Sequence, residues 1–246
     1  MRASRLRSAV IDKKALRKRV YAALIAAGAG RFPGVLGRIP NFKGSETAAT
    51  LLCSLPEWHS AQVVKINPDS PQRPVRHAAL KAGKVLYLPA PRLAEHKPFL
   101  RLDPRKLGPR TLWRASSIKG AFELGEPVSL DELEAIDLIV TGCVGVDRFG
   151  GRLGKGGGYS DLEFALLREE GLVHENTPIL TTVHDSQIVD RVPMTPHDIS
   201  LDRFVTPQGV VDCERKHSRP PGVLWDRLDS SKIAAIPALQ GRRETP

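Results

Sequence analysis

Short apolar segments alternate with segments of helical periodicity along most of this chain, and this alternation is the strongest constraint on its fold. The apolar segments predict buried strands at residues 61–66, 85–88, 138–140 and 178–183. The segments between them predict helices at residues 75–82, 130–133 and 160–170. Strands that alternate with helices form parallel βαβ units. We therefore predict an α/β fold, a three-layer α/β/α sandwich with a mostly parallel sheet.

Further elements are predicted on both sides of this region. Helices are expected at residues 11–27, capped by Asp12, and at residues 45–55, capped by Ser45. Short strands follow at residues 204–205 and 210–211, whereas residues 94–128 show little periodicity and are predicted to be irregular. We expect one domain over residues 1–212, with residues 1–9 flexible, and a basic, proline-rich extension at residues 213–246 that packs on it.

The positive charge of the chain is concentrated near its start. Lys and Arg number 37 and Asp and Glu number 27, which gives a net charge of +10. Residues 1–20 hold eight of the basic residues and a single acidic one, Asp12. A basic segment can bind nucleic acid through phosphate neutralisation. The alternative is a basic helix face that is simply solvated, and the sequence does not decide between the two.

Cysteine content and hydropathy bear on the compartment. Three cysteines lie far apart, which argues against a disulfide scaffold and for a reducing environment. No apolar run approaches the ~20 residues of a membrane-spanning helix, and no signal-peptide core is present. We therefore expect a cytoplasmic protein without membrane partners, a monomer or a small homo-oligomer.

A glycine-rich loop at residues 150–158 follows a buried strand and precedes a helix. It contains six glycines together with Arg152 and Lys155. Glycines allow backbone amides to point at a phosphate, and a helix N-terminus adds partial positive charge. The loop has neither the Ser/Thr of a Walker A motif nor the spacing of a dinucleotide fingerprint. Phosphate binding is the preferred interpretation, and a glycine-rich surface turn is the alternative.

Residues at the start of the helix after the loop, and two basic residues of the first predicted helix, gain interest from their positions. Asp161 stands beside the loop at the start of the next helix, where the helix dipole favours an acid and where a carboxylate could also bind Mg²⁺ together with phosphate oxygens. We expect Ser160 and Glu163 to form a capping box at this helix start. Lys13 and Arg17 are four residues apart and share one face of the first predicted helix.

Three motifs appear in an order that resembles the 5-formyltetrahydrofolate cyclo-ligase (methenyltetrahydrofolate synthetase) family. They are Lys13-x-x-x-Arg17, Gly-Arg-Leu-Gly-Lys-Gly-x-Gly-Tyr-x-Asp at residues 151–161, and Pro193-x-x-x-His197-Asp198-x-x-x-Asp202. The similarity covers roughly residues 10–212. Residues 38–44, the pattern Lys65-x-x-Pro-Asp69, residues 89–93 and residues 221–225 resemble more closely the branch of methenyltetrahydrofolate synthetase domain-containing proteins.

The resemblance implies a fold of the ribose-phosphate-isomerase/CoA-transferase type and an ATP- and Mg²⁺-dependent conversion of 5-formyltetrahydrofolate to 5,10-methenyltetrahydrofolate through a phosphorylated formyl intermediate. It implies catalytic roles for Lys13, Arg152 and Lys155. It implies magnesium ligation by Asp161 and Asp198. It implies that ATP is bound by Lys13, Arg17, Arg152, Leu153, Gly154, Lys155, Gly156, Gly157, Gly158 and Tyr159. It implies that the folate, or a related small molecule, is contacted by Asp69, Lys155, Gly156 and Tyr159.

The sequence also departs from the pattern of this family. Ser160 stands where a second tyrosine is usual, Gly157 stands where a lysine is usual, and residues 142–146 replace the usual Pro-Gly-x-x-Phe loop. These changes fall on the pterin side of the expected site and leave the phosphate side intact. Two alternatives therefore stay open: an ATP-dependent enzyme of this fold with another substrate, and a non-catalytic protein that binds nucleotides or RNA.

Overall fold

The computed structural model describes residues 12–240 and residue 242. The strands in these residues are β1 (Val63–Ile66), β2 (Val85–Pro89), β3 (Phe99–Leu102), β4 (Glu126–Val128), β5 (Leu138–Val140), β6 (Gly145–Val146), β7 (Arg152–Leu153), β8 (Ile179–Thr182), β9 (Arg203–Thr206) and β10 (Gly209–Asp212). The α-helices are α1 (Lys13–Ala26), α2 (Ser45–Leu52), α3 (Pro56–Ser60), α4 (Arg73–Lys81), α5 (Leu112–Ala115), α6 (Ile118–Leu124), α7 (Tyr159–Glu169) and α8 (Ser230–Ala235). Residues 1–9, expected to be flexible, lie outside the described part of the chain.

In the described residues, eight strands form one mixed sheet in the order β10-β9-β8-β5-β1-β2-β3-β4. The five strands from β9 to β2 are parallel to one another. β10 at one edge, and β3 and the edge strand β4 at the other end, are paired in antiparallel fashion. β6 and β7 make a separate antiparallel pair. The predicted α/β class with a mostly parallel sheet is confirmed.

Alternate side chains of the central strands enter two cores on opposite faces of the sheet. Val85 and Tyr87 of β2 face a core that includes the apolar side of α7. Leu86 and Leu88 face the other core, which α2, α3 and α4 cover. A third, smaller cluster joins Leu16, Val20 and Leu24 of α1 to Leu153 of β7. This packing fixes α1 beside the glycine-rich segment.

The prediction of an irregular segment at residues 94–128 is wrong. It contains β3, β4, α5 and α6. β3 has only four residues between Pro98 and Pro104, so a period-2 pattern had little length in which to show itself. Its Phe99 and Leu100 enter the cores on the two faces of the sheet, so β3 is a buried strand and not an amphipathic one. The short helix expected at residues 130–133 is a single 3₁₀ turn, Leu130–Glu132.

The predicted helix caps are also wrong. Gly44 and Gly158, both with positive φ, precede α2 and α7, so the helices start without a side-chain cap. The expected helix at residues 45–55 ends at Leu52. The Asp12 side chain makes no capping hydrogen bond to the residues that the structure describes. Ser160 and Glu163 contact the end of β1 instead of forming a capping box. Among the described helices, none has the length and apolar character needed to cross a bilayer.

The segment after β10 packs against α7. Val223, Ile236 and Leu239 are buried in the same core as Leu166 of α7. The backbone N–H of Val223 donates a hydrogen bond of 2.9 Å to the carboxylate of Glu169 near the C-terminal end of α7. These contacts hold residues 220–239 along the helix that follows the glycine-rich loop.

Candidate functional site

A cavity of about 490 Å³ lies at the carboxyl edge of the parallel strands. Residues 67–69 after β1, residues 89–92 at the end of β2 and Gly142 after β5 form one wall. Residues 154–163, from the glycine loop into α7, contribute much of the other wall. The carboxyl edge of an open parallel sheet is where α/β proteins bind their ligands. The fold thus places the glycine-rich loop against the expected position of a ligand.

The loop after β1 is held by a buried guanidinium. Arg76 of α4 is 1% exposed and donates hydrogen bonds to the carbonyl oxygens of Asn67 (2.5 Å) and Asp69 (2.9 Å). Its Nε donates to the carbonyl of Ser116 at 2.8 Å. Because the buried cation is anchored on three carbonyls, the backbone of residues 67–69 is fixed in position at the cavity wall.

Asp69 is a charged group on the wall of this cavity. Burial raises the pKa of its carboxyl above the usual value, and this effect is opposed by the positive charges of Lys155 and Arg76. The Lys155 ammonium lies 3.8 Å from the Asp69 carboxylate, which joins the glycine loop to the β1 side of the cavity. A Cβ atom at Gly142 would lie only 2.6 Å from Asp69 Oδ2, so glycine at this position makes room for the carboxylate.

Arg152 and Asp161 form a buried ion pair beneath the loop. Arg152 donates to Asp161 Oδ1 at 2.6 Å and to the carbonyl of Gly142 at 3.2 Å. Burial would lower the pKa of Arg152, but the charge and hydrogen bond of Asp161 outweigh it and raise that pKa. The backbone N–H of Ile199 donates to the same carboxylate at 3.0 Å, so the segment that carries Asp198 is held next to Asp161.

The two basic residues of α1 contact the same region. Lys13 Nζ lies 2.7 and 2.6 Å from the two carboxylate oxygens of Asp198. Burial alone would raise the pKa of Asp198, but hydrogen bonds from Lys13 and Thr195 lower it. Arg17 donates to the carbonyl of Gly154 in the glycine loop at 2.6 Å. The four-residue spacing that aligns Lys13 and Arg17 therefore directs both cations to the loop and its flanking acid.

The loop itself has the backbone freedom that its glycines suggest. Gly156 and Gly158 have φ of +109° and +66°, in the region that favours glycine. Residues 154, 155, 157, 158 and 159 line the large cavity. Leu153, expected to contact ATP, lies fully buried in the α1 cluster and does not line this cavity, so only its backbone is available for such a contact.

Three polar residues, two that line the cavity and a lysine that contacts both of them, were not predicted as a site. Lys65 of β1 and Glu163 of α7 form a buried ion pair, and Lys65 also donates to Asn67 Oδ1 at 3.1 Å. Asn67 in turn donates to Ser160 Oγ at 3.1 Å. Burial raises the pKa of Glu163, although the adjacent Lys65 opposes the shift. A lysine inside a strand with apolar neighbours was the one sequence signal that a buried acid would be found nearby.

Asp161 and Asp198 were expected to bind magnesium. Among the described residues, no group of three or more His, Cys, Asp or Glu side chains has an arrangement that could hold a metal by itself. Mg²⁺ needs only one or two carboxylates when phosphate and water oxygens complete its shell. The hydrogen bond from Ile199 to Asp161 brings the two carboxylates to the same end of the loop, so this donor set fits magnesium bound together with a phosphate.

Comparison with known proteins finds relatives whose names all refer to the same folate reaction. The model of the 5-formyltetrahydrofolate cyclo-ligase family matches residues 9–207. A methenyltetrahydrofolate synthase domain-containing protein of Mus musculus is 36% identical over 239 residues, which are 95% of this chain and 64% of that protein. The 5-formyltetrahydrofolate cyclo-ligase of Escherichia coli K12 is 28% identical over 176 residues, which are 67% of this chain and 88% of that protein.

A solved structure has the same arrangement of secondary structure. The 5,10-methenyltetrahydrofolate synthetase of Aquifex aeolicus superimposes with a TM-score of 0.53 at 26% identity and covers 84% of this chain and 95% of its own. This chain spans less than two thirds of the length of the domain-containing relatives, 64% of the mouse protein and 60% of one from Danio rerio.

Proposed function

Because the chain belongs to the 5-formyltetrahydrofolate cyclo-ligase family, we propose that it converts 5-formyltetrahydrofolate to 5,10-methenyltetrahydrofolate with ATP and Mg²⁺. One observation carries the proposal: a cationic, glycine-rich loop faces two carboxylates, the half-buried Asp69 and the buried Glu163, across a single cavity of about 490 Å³. The loop suits phosphates and the carboxylates suit a ligand rich in N–H donors. A reduced pterin has such donors in its amino and amide groups.

The phosphate side of the proposal rests on four cations. Lys13 and Arg17 approach from α1, and Arg152 and Lys155 belong to the loop. The backbone amides of residues 152–159 would add donors where the glycines allow close approach. Such a set neutralises the charge that spreads over a transferring phosphoryl group, which is the main task of the protein in this kind of reaction.

The proposed reaction has two steps. The formyl oxygen of the folate attacks the γ-phosphorus of ATP, an O–P bond forms, and the bond to ADP breaks. N10 then attacks the activated formyl carbon, its proton is released, and phosphate leaves with the former formyl oxygen. The products are 5,10-methenyltetrahydrofolate, ADP and phosphate. Both steps need mainly placement of the reacting groups, for which Asp69 and Tyr159 would hold the folate and Lys155 would lie between the folate and the phosphates.

Asp161 and Asp198 would hold Mg²⁺ against the phosphates. When bound, the ion would neutralise part of the charge on the phosphate oxygens. Arg152 positions Asp161 through their buried ion pair, and Lys13 neutralises Asp198. These acids therefore have two possible partners, a side-chain cation and a metal ion, and ligand binding would decide how Lys13 is shared between Asp198 and phosphate.

The near-ultraviolet absorbance of the methenyl product tests this function. Purified protein with Mg²⁺, ATP and 5-formyltetrahydrofolate should give a rise in absorbance that needs all three. Lys13→Ala should reduce the rate about 100-fold, the typical effect of removing one group that stabilises transition-state charge. Lys14→Ala, which removes an exposed lysine from the adjacent position of α1, is the matched control and should keep the rate.

A second candidate is an ATP-dependent enzyme with another substrate. Ser160, where the family usually has tyrosine, is hydrogen-bonded to Asn67 on the cavity wall, so the pterin side differs from the family pattern. ATP binding that depends on Lys13 without any methenyl product would favour this candidate. If the protein neither binds ATP nor forms the methenyl product, a protein without catalytic activity is favoured. A cytoplasmic location and a monomer or small homo-oligomer stay predictions.

A further inference from the structure

A second cavity, of about 250 Å³, lies on the other side of the glycine loop. One wall is formed by residues 156–158 of the loop together with Asp161, Leu162 and Ala165 of α7. The opposite wall comes from the segment at residues 220–232. The family match ends at residue 207, so this second wall is supplied by a part of the chain that the family model does not cover.

The C-terminal wall is anchored to the loop and to α7. Lys232 Nζ donates a hydrogen bond of 2.7 Å to the carbonyl of Gly157, and it lies 5.0 Å from the centre of the Tyr159 ring. Val223, whose backbone N–H donates to Glu169, is buried in the core beside α7. The cavity is therefore bounded by packed and hydrogen-bonded segments on both sides.

The chemistry of the lining suits a flat organic ring. Its inner surface is apolar and contains Leu162, Ala165, Val223, Leu224 and Leu228. Polar groups of His197, Arg227 and Asp229 also line the cavity, and Arg227 and Asp229 are exposed to solvent. A volume of about 250 Å³ is room for a bicyclic base with its pentose but not for a much larger ligand.

The two cavities meet at the glycine loop. Gly157, Gly158 and Asp161 line both of them. A ligand that places its phosphates at these residues can extend into only one cavity with its other end. Asp69 and Glu163 line the large cavity and not the small one, which assigns the folate to that side. The small cavity then remains for the rest of the nucleotide.

We propose that the segment at residues 220–232 completes a subsite for the base and ribose of the nucleotide, formed with Leu162 and Ala165 of α7. The proposal rests on the proposed function, since it takes the glycine loop to hold the triphosphate. In this arrangement the base lies between the apolar side chains of α7 and of the C-terminal segment. The γ-phosphate points toward the large cavity, where the formyl group is placed.

The test compares ATP with inorganic tripolyphosphate, which has the same phosphate chain and no base. Dissociation constants for both, with Mg²⁺, are measured by calorimetry on the full chain and on two variants. Leu228→Trp fills the small cavity. Ile233→Trp makes a comparable increase in size directly after that segment, at a half-buried residue that does not line the cavity, and is the matched control.

The unmodified protein should bind ATP at least about tenfold more tightly than tripolyphosphate, a difference that a buried base readily supplies. Leu228→Trp should remove most of that difference by weakening ATP alone, while its unchanged affinity for tripolyphosphate shows that the loop is still folded. Ile233→Trp should keep the difference.

Equal affinities of the unmodified protein for ATP and tripolyphosphate would overturn the subsite and leave the proposed function standing. Full ATP affinity in Leu228→Trp would do the same. If the unmodified protein binds neither ligand, the phosphate site itself is absent, and the subsite falls together with the proposed function.

Discussion

Three ion pairs, two of them buried, connect the elements of the candidate site. Lys65 pairs with Glu163, Arg152 pairs with Asp161, and Lys13 pairs with Asp198. Each pair joins two elements that are distant in sequence, so each fixes the position of one cavity wall relative to another. A charge buried without its partner is strongly destabilising, whereas a complete pair contributes little net free energy. We therefore expect these residues to act on geometry more than on overall stability.

The pair of Lys65 and Glu163 allows this expectation to be measured. Lys65→Met leaves the Glu163 carboxylate buried without its cation and should lower the free energy of unfolding by about 3–5 kcal/mol. The double variant Lys65→Met/Glu163→Gln removes both charges and should recover most of that loss. Urea denaturation of both single variants and the double variant gives the coupling energy. If the losses in unfolding free energy of the two single variants add up to that of the double variant, Lys65 and Glu163 are not coupled.

Asp69 should make stability depend on pH in a definite direction. Its pKa is raised by burial, so the folded state holds the proton more tightly than the unfolded chain does. The stabilisation from this protonation is complete below the unfolded pKa and is lost as pH rises through the raised pKa. Near neutral pH the ionised carboxylate therefore opposes folding.

Asp69→Asn should consequently raise the melting temperature near neutral pH by about 2–4 °C, the shift that ~1 kcal/mol produces in a chain of this size. Below about pH 4 the wild-type carboxyl is itself protonated, and the difference should vanish. Turnover of the folate should fall in the same variant. A variant that melts at the wild-type temperature across this pH range would contradict the sign argued for Asp69.

Single residues differ in how far the sequence could predict them. The motifs in order predicted that Lys13, Arg17 and Arg152 belong to one site, and their side chains contact the glycine loop and its flanking acids. Glu163 was misassigned to a helix cap. Its partner, Lys65, is 98 residues away, and no local pattern reports a contact at that separation.

At the level of elements, the backbone just after β5 passes close to Asp69, a candidate site residue. A Cβ on Gly142 would lie 2.6 Å from Asp69 Oδ2 and 3.1 Å from Gln72 Oε1. Gln72 is fully buried and Asp69 is held by its loop, so the clash cannot be relieved without moving the carboxylate. The backbone at Gly142 therefore limits where the Asp69 carboxylate can lie.

Gly142→Ala should lower kcat/KM for the folate about 10- to 100-fold, because small displacements of a positioning group have effects of that size. Gly108→Ala is the matched control, since a Cβ there meets no atom within 4 Å and the φ of −68° suits alanine. Steady-state kinetics of the two variants make the comparison. Equal kcat/KM values for Gly142→Ala and Gly108→Ala would mean that turnover does not depend on the present position of Asp69.

Elements with a strongly apolar pattern were predicted well, as were the short strands β9 and β10, whereas β3 and β4 were missed. The strands β5 and β8 and the helix α7 coincide with the predicted segments to within two residues at each end. β3 and β4 were missed because strands of four and three residues at the edge of a sheet are defined by pairing with β2 and with each other. Pairing across the sheet is information that a local pattern does not contain.

For the whole molecule, the open question is whether the C-terminal segment belongs to the same cooperative unit as the sheet. The sequence predicts a domain and an extension that packs on it, which treats the extension and the domain as separable units. Leu239, near the end of the described residues, is fully buried in the core that also contains Phe164 and Phe204. A side chain buried in a shared core is lost only when that core opens, which favours one unit.

Leu239→Ala tests this point. If the segment unfolds together with the sheet, the substitution should lower the global free energy of unfolding by about 2–5 kcal/mol and keep a single transition. Leu36→Ala, at a leucine that is 64% exposed, should change it by less than about 0.5 kcal/mol. Denaturation followed by tryptophan fluorescence and by circular dichroism reports the free energy of unfolding and the number of transitions. A separate early transition in Leu239→Ala, with the main one unshifted, would show that residues 213–240 unfold on their own.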